Sequence, residues 1–106
     1  MKDFIVVLIT CPSPEEAESL SKKILSERLA ACVNIINSVH SLFHWQGKIE
    51  ADQESLMIVK TRSLLLDQLK TFVQENHPYD VPEVIALPIV GGSDDYMEWM
   101  KSETTV

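Results

Sequence analysis

The alternation of apolar and polar residues divides the first third of the chain into a strand and a helix. Residues 4–9 form a continuous apolar run rich in β-branched side chains, which is typical of a central strand covered on both faces. Ser13, Pro14 and Glu16 then give the signature of a helix start with a capping box. Apolar side chains recur at helical spacing to about Arg28, so the pattern predicts one buried helix face.

The middle of the chain is predicted to form a hairpin with long arms, over residues 31–61. A strand pattern reaches Trp45, and Gln46-Gly47-Lys48 is a turn in which Gly47 is free to take a positive φ. The arms have about fifteen residues, whereas typical strands have about five or six. Two helices cannot cover such arms, so we expect the overhang, with its exposed apolar side chains, to pair with neighbouring subunits.

A second helix, a stiff connector and a last strand complete the pattern. Helical spacing resumes after Ser63 and ends at Pro78, which lacks an N–H and pushes the preceding residue out of the α region. Residues 79–82 are predicted to be extended, and residues 84–90 to form a strand. Pro88 within that strand favours an edge position, where a missing N–H costs little.

The element order predicts the fold class. It is β-α-β-β-α-β with a short C-terminal helix, which is typical of an α+β, ferredoxin-like antiparallel sheet with two main helices. Right-handed crossovers put the fourth strand beside the first. A length of 106 residues indicates a single domain over residues 1–106.

Charge and cysteine content narrow the classes of partner. The net charge is −7, from 16 acidic and 9 basic residues, which argues against nucleic acid and anionic membranes as partners. Cys11 and Cys32 form no C-x-x-C motif, as expected of free thiols in a reducing cytoplasm. The first apolar run is too short for a signal peptide or a membrane span. We therefore expect a cytoplasmic protein.

The topology gathers three potential metal ligands at one end of the sheet. The end of the first strand, the end of the second helix and the start of the fourth strand carry Cys11, His77 and Glu83 respectively. A thiolate, an imidazole and a carboxylate suit a soft or borderline divalent metal, with copper and zinc first. In the alternative interpretation, Cys11 is a small core residue, His77 caps its helix and Glu83 is a strand-end charge.

Other residues carry weaker predictions. Cys32 is expected to pack in the core. Trp45 and Tyr79 are candidates for the lining of a ligand cleft between subunits. Three acidic residues of the return strand share a face that we expect to be a solvated strand edge rather than a cation site: Glu50, Asp52 and Glu54.

No catalytic constellation is evident in the sequence. It contains no glycine-rich phosphate loop and neither a G-x-S-x-G nor an H-E-x-x-H motif. Cys11 and His77 could be imagined as a nucleophile and its base, but no third group is evident to orient the imidazole. We therefore expect that the protein is not an enzyme.

Several segments together resemble the CutA proteins, the divalent-cation tolerance family. The resemblance covers nearly the whole chain, in the right order, through these stretches: Thr10-Cys11-Pro12-Ser13-Pro14-Glu15-Glu16-Ala17, Glu27-Arg28-Leu29-Ala30-Ala31-Cys32-Val33-Asn34-Ile35-Ile36, Trp45-Gln46-Gly47-Lys48-Ile49, Val59-Lys60-Thr61, His77-Pro78-Tyr79-Asp80-Val81-Pro82-Glu83 and Leu87-Pro88-Ile89.

The resemblance implies a homotrimer in which long hairpins join sheets between subunits, similar to PII signalling proteins. It implies a role in tolerance to copper and other divalent ions without enzymatic activity, with Cu(II) ligated by Cys11, His77 and Glu83. Residues 37–41 depart from the Pro-Gly usual in the family, so an altered bend is expected there. The alternative function is a PII-like signalling module that binds a small ligand or partner in its inter-subunit clefts.

Overall fold

A computed structural model describes residues 3–104 of the chain. The described elements follow the predicted order, with one 3-10 turn added before the second helix. In chain order they are β1 (Phe4–Cys11), α1 (Pro14–Ser26), β2 (Cys32–Trp45), β3 (Lys48–Arg62), a 3-10 turn (Ser63–Leu65), α2 (Leu66–Asn76), β4 (Val84–Pro88) and α3 (Asp94–Glu103). No helix within residues 3–104 combines the length and apolar content needed to cross a membrane.

The sheet has the predicted topology. Its strand order is β2-β3-β1-β4, and all three pairings are antiparallel. Strand β1 therefore lies between β3 and β4, as the continuous apolar run predicted. Strand β4 is at the edge and ends at Pro88, two residues earlier than predicted. The ferredoxin-like α+β prediction is confirmed.

The helices α1 and α2 cover one face of the sheet. The core contains Val7 and Ile9 of β1, Met57 and Val59 of β3, and apolar side chains of both helices. Because side chains alternate along a strand, the intervening residues point to the other face. On that face α3 packs only near Phe4.

Most of the second face carries apolar side chains without a covering helix. Ile36, Ile85 and Leu87 are each about half exposed, at 48%, 51% and 47%. The expectation that β1 is covered on both faces is wrong within the described chain, because Val6 and Leu8 lie on this open face and are only partly buried. We call this surface the open face. Folding of one chain leaves these apolar side chains in contact with water.

The long hairpin is present, with arms of 14 and 15 residues. Trp45 pairs with Lys48 across a two-residue turn in which Gln46 and Gly47 both have positive φ, of 49° and 78°. Such a turn matches the right-handed twist of the strands. Beyond the body of the sheet the hairpin exposes Leu42, Trp45 and Ile49.

A β-bulge interrupts the hairpin where the sequence departs from the Pro-Gly of the resembled family. The register shifts between Ile36 and Val39, and Ser38 takes a φ of 62°. The hydroxyl of Ser55 donates a hydrogen bond to Oδ1 of Asn37 at 2.9 Å, which ties the bulge to β3. A bulge increases local twist, so it bends the overhanging half of the hairpin relative to the body of the sheet.

Candidate metal site at the rim of the sheet

Three chain segments meet at one end of the sheet, which we call the rim. Cys11 is the last residue of β1, His77 is the C-cap of α2, and Glu83 immediately precedes β4. Pro78 explains why the imidazole is held there, because the residue before a proline is pushed into an extended conformation. His77 has φ −91° and ψ 143°, so the chain turns away from the helix at this residue.

Cys11 is a buried, protonated thiol. Its side chain is fully buried, with Sγ 3.6 Å from Nε2 of His77 and 3.6 Å from Sδ of Met57. Burial raises the pKa of Cys11 to about 11, and the nearby carboxylates of Glu16 and Glu54 add to this shift. At neutral pH the sulfur therefore bears its proton.

The hydrogen bonds of His77 assign its tautomer. The backbone N–H of Tyr79 donates to Nδ1 at 3.0 Å, so Nδ1 is the acceptor. Nε2 lies 2.7 Å from the carbonyl oxygen of Thr10, which can only accept, so Nε2 carries the proton. The ring is 8% exposed. The neutral imidazole thus joins β1 to the connector, and both its nitrogens already have partners.

Acidic residues lie beside the thiol and the imidazole. The phenol of Tyr79 donates a hydrogen bond to Oε2 of Glu54 at 3.0 Å, which ties the connector to β3. Partial burial, and then this carboxylate, raise the pKa of Tyr79. Partial burial, and then the charge of Glu54, also raise the pKa of Glu83. The rim therefore disfavours additional negative charge.

The structure brings two of the three predicted ligands together. Cys11 and His77 are in contact, whereas Glu83, which is only partly covered by its neighbours, forms no hydrogen bond to either within residues 3–104. In the same range no three histidine, cysteine, aspartate or glutamate side chains are grouped closely enough to hold a metal ion. Thiol, imidazole and carboxylate are ligands that fit a borderline metal. In the described geometry, however, the Cys11 thiol and Nε2 of His77 both carry their hydrogens.

Sequence reasoning missed Met57 and the Tyr79–Glu54 hydrogen bond. Alternation along β3 could have assigned Met57 to the helix-covered face, but only the observed register, Ile9 to Met57 and Cys11 to Ser55, makes it a neighbour of the thiol. Glu54 was expected to be a solvated edge residue. It is half-buried because Tyr79 reaches across the rim to it.

Two further expectations can be compared with the structure. Cys32 is only partly buried and lies on the open face, with Sγ 3.8 Å from Oδ1 of Asn34, so the core prediction for it is wrong within the described chain. Trp45 lies at the hairpin tip, six residues along β2 from Val39, which pairs with Glu54. Six residues span roughly 20 Å, so Trp45 and Tyr79 do not line one cleft within a single chain.

Comparison with known proteins decides the family. Residues 5–103 match the family described as CutA1 divalent ion tolerance protein. The chain belongs to the CutA1 family. Protein CutA, chloroplastic, from Arabidopsis thaliana is 53% identical over 100 residues, covering 94% of this chain and 55% of that protein. The divalent-cation tolerance protein CutA from Thermus thermophilus is 48% identical over 99 residues, covering 93% of this chain and 96% of that protein.

Solved CutA1 structures share the fold throughout. The crystal structure of CutA1 from Oryza sativa matches with a TM-score of 0.95 and 51% identity, covering 97% of this chain and 94% of that one. The chain spans about half the length of the plant CutA relatives that it matches. The similarity to the Thermus thermophilus relative instead extends over nearly the full length of both chains.

Replacing Glu83 with glutamine should stabilise the protein in a pH-dependent way. The raised pKa of Glu83 means that its ionised form is disfavoured in the folded state, so stability is lost as pH rises through that pKa. We expect Glu83→Gln to raise the midpoint of thermal unfolding at pH 7. The gain should disappear below the ordinary carboxyl pKa of 4.5, where the wild-type side chain is also neutral.

The control is Glu98→Gln, which removes one charge from the exposed surface of α3. Circular dichroism melting curves between pH 3 and 8 provide the measurement. An equal rise for both variants would mean that the effect comes from net charge, and the interpretation of the rim would then be wrong.

Proposed function

We propose that this protein binds divalent metal ions, Cu(II) foremost, at the rim and thereby contributes to cellular tolerance of such ions. The observation that carries the proposal is the 3.6 Å approach of a cysteine sulfur to an imidazole nitrogen at the end of β1. Thiol and imidazole are ligands that suit copper. The family name, divalent ion tolerance protein, supports the metal role in its coarser form.

The proposed ligands are Cys11, His77 and Glu83, and each has to change its present partners. The thiol has to lose its proton, which makes binding weaker as pH falls. The imidazole has to release the Thr10 carbonyl or the Tyr79 N–H. Glu83 has to approach the pair. Burial, and then repulsion by Glu54, raise the pKa of Glu83, and a nearby cation would offset both effects.

We also propose that the protein acts as a homotrimer. The open face and the overhanging hairpin support this, because they leave large apolar side chains in water. Neighbouring copies can cover the face with apolar contacts and can pair with the free edge of β2, the outer strand beside β3.

We propose no enzymatic activity for the rim. A thiol whose pKa is raised to about 11 is a poor nucleophile at neutral pH, and the lone pair of Nδ1 is already used by the Tyr79 N–H. The presence of two free cysteines supports a reducing compartment, and we propose the cytoplasm.

A small-ligand-binding module is the second candidate. A groove of about 290 Å³ lies beside the imidazole, lined by residues of α1 and the end of α2 that include Glu16, Lys23, Asn76 and His77. This volume could accommodate only a small ligand. Such a module would bind its ligand equally well after chelation of all metals, whereas the primary proposal requires a metal.

Copper titration tests the metal proposal. Isothermal calorimetry with Cu(II) in a non-coordinating buffer at pH 7 should show binding by the wild type. Cys11→Ser, His77→Gln and Glu83→Gln should each weaken it at least about tenfold, which is roughly 1.4 kcal/mol per lost ligand. Glutamine at position 77 retains both a donor and an acceptor for the two backbone partners.

Cys32→Ser is the matched control, since it removes the other thiol, on the open face. The control should bind copper with wild-type affinity. If all four variants bind copper equally, or if the wild type binds none, metal binding at the rim is refuted.

A charged residue on the open face should disrupt the trimer. Ile85→Glu would bury a carboxylate against neighbouring subunits, so we expect a fall in apparent mass from three chains to one in sedimentation velocity at micromolar concentration. Val81→Glu is the control, because Val81 is 81% exposed in the connector, away from the open face. A monomeric wild type, or equal behaviour of both variants, would contradict the assembly proposal.

A further inference from the structure

Strand β3 carries charges of opposite sign at its two ends, on the side of the open face. Val6 lies on that face and pairs with Lys60, so Lys60 and, two residues on, Arg62 share it. The same two-residue period places Glu50 and Asp52 on that side of the overhanging half. We call Lys60 and Arg62 the cationic end, and Glu50 and Asp52 the acidic overhang.

The cationic end has no carboxylate partner among residues 3–104, where none of the ion pairs involves Lys60 or Arg62. Arg62 donates to the carbonyl oxygen of Thr104 at 3.5 Å, and its buried Nε has no hydrogen-bond partner in the same range. Nζ of Lys60 lies 5.8 Å from the centre of the Tyr96 ring. Both cations are half-buried, so each has lost hydration that an anion would replace.

The acidic overhang is also unpaired. Glu50 and Asp52 are exposed and belong to none of the ion pairs within residues 3–104. Lys48 lies on the same side near the turn and offsets part of their charge without pairing with either of them in that range. Strand β1 ends opposite Ser55, so residues 48–54 extend past it. Seven residues of strand span about 23 Å, which carries the two acids beyond the body of the sheet.

The two charged ends cannot meet within one chain. From Asp52 to Lys60 the strand advances by eight residues, which is roughly 26 Å. Exposed charges are largely screened beyond about 8 Å at physiological ionic strength. The opposite charges are therefore complementary only when the acidic overhang of one copy reaches the cationic end of another.

A second copy of the chain fits this surface better than an unrelated partner, because it supplies everything that the surface lacks. The apolar residues between the two charged ends need an apolar cover, and the ends need opposite charges. A head-to-tail contact leaves one copy with a free cationic end and the other with a free acidic overhang. Such a contact repeats until a ring closes, as in a trimer.

We propose that Glu50 and Asp52 of one copy bind Lys60 and Arg62 of the next copy. This inference rests on the proposed homotrimer and deepens it, because it names the charged contact that sets the direction in which copies join. Complementary charges contribute more to the register and specificity of an interface than to its affinity. The apolar side chains of the open face supply most of the affinity.

Charge reversal tests the contact. Glu50→Lys combined with Asp52→Lys changes exposed side chains, so the chain should fold normally while its overhang repels the cationic end. Lys60→Glu combined with Arg62→Glu should repel the overhang in the same way. We expect each reversal to weaken the trimer about tenfold or more in sedimentation velocity, and a chain with all four substitutions to recover most of the loss.

Glu27→Lys combined with Glu75→Lys is the matched control, since it changes the net charge by the same amount on exposed residues of the helix-covered side. The control should assemble like the wild type. Raising the salt concentration from about 0.05 M to about 0.5 M should weaken the wild-type trimer, because salt screens the contact. Circular dichroism shows whether each variant is folded.

The outcomes separate this inference from the assembly itself. Wild-type affinity in the acidic-overhang variant, an equal loss in the control, or no recovery in a folded four-substitution chain overturns the charged contact. A trimer that Ile85→Glu disrupts and that both charge reversals leave intact overturns the contact and leaves the proposed assembly standing. A wild type that sediments as one or two chains overturns both.

Discussion

The hydrogen-bonded position of β1 between β3 and β4 is the constraint on which the rest of the structure depends. The described pairing of β4 with β1 ends at Ile9, yet Cys11 is fully buried, because Met57 of β3 and the imidazole of His77 both contact its sulfur. The carbonyl oxygen of Thr10 remains to be satisfied at the strand end, and the imidazole of His77 donates to it. One side chain therefore fixes the end of α2 and the start of the connector against the central strand.

The same topology explains why helices cover one face of the sheet and leave most of the open face uncovered. Both crossover helices lie on the same side, so the core forms between them and the sheet. Among residues 3–104, the helix that covers the other side is the short α3, at one end of the sheet. A sheet with apolar side chains on both faces and helices on one has apolar surface left to bury. The overhang of β2 and β3 adds to that surface, and together these features support the proposed assembly.

Much of this architecture could be predicted from local patterns. Four features act through interactions between residues that are close in sequence: the apolar run of β1, the capping box before α1, Gly47 in the turn and Pro78 after α2. Their order then determined the strand order, because few topologies satisfy right-handed crossovers. The family resemblance indicated an altered bend over residues 37–41. The positive φ of Ser38 could not be predicted, since such a conformation of a serine depends on its surroundings rather than on its intrinsic preference.

Only part of the candidate site could be predicted. The position of a strand end follows from the local sequence, whereas a side-chain contact depends on how distant segments pack. The meeting of Cys11 with His77 followed from topology. The thioether beside the thiol depends on the exact β1–β3 register, and a shift by one residue would move Met57 to the open face. The separation of Glu83 from the pair depends on the path of the connector, which no periodicity specifies.

The position of the hydrogen on the His77 imidazole shows directly whether this side chain joins the end of β1 to the connector. Long-range ¹H–¹⁵N correlation spectra of the imidazole at neutral pH report which ring nitrogen carries the hydrogen. We expect a neutral ring protonated at Nε2, with Nδ1 accepting from the Tyr79 amide. A ring protonated at Nδ1 would contradict the hydrogen bonds by which the imidazole joins β1 to the connector.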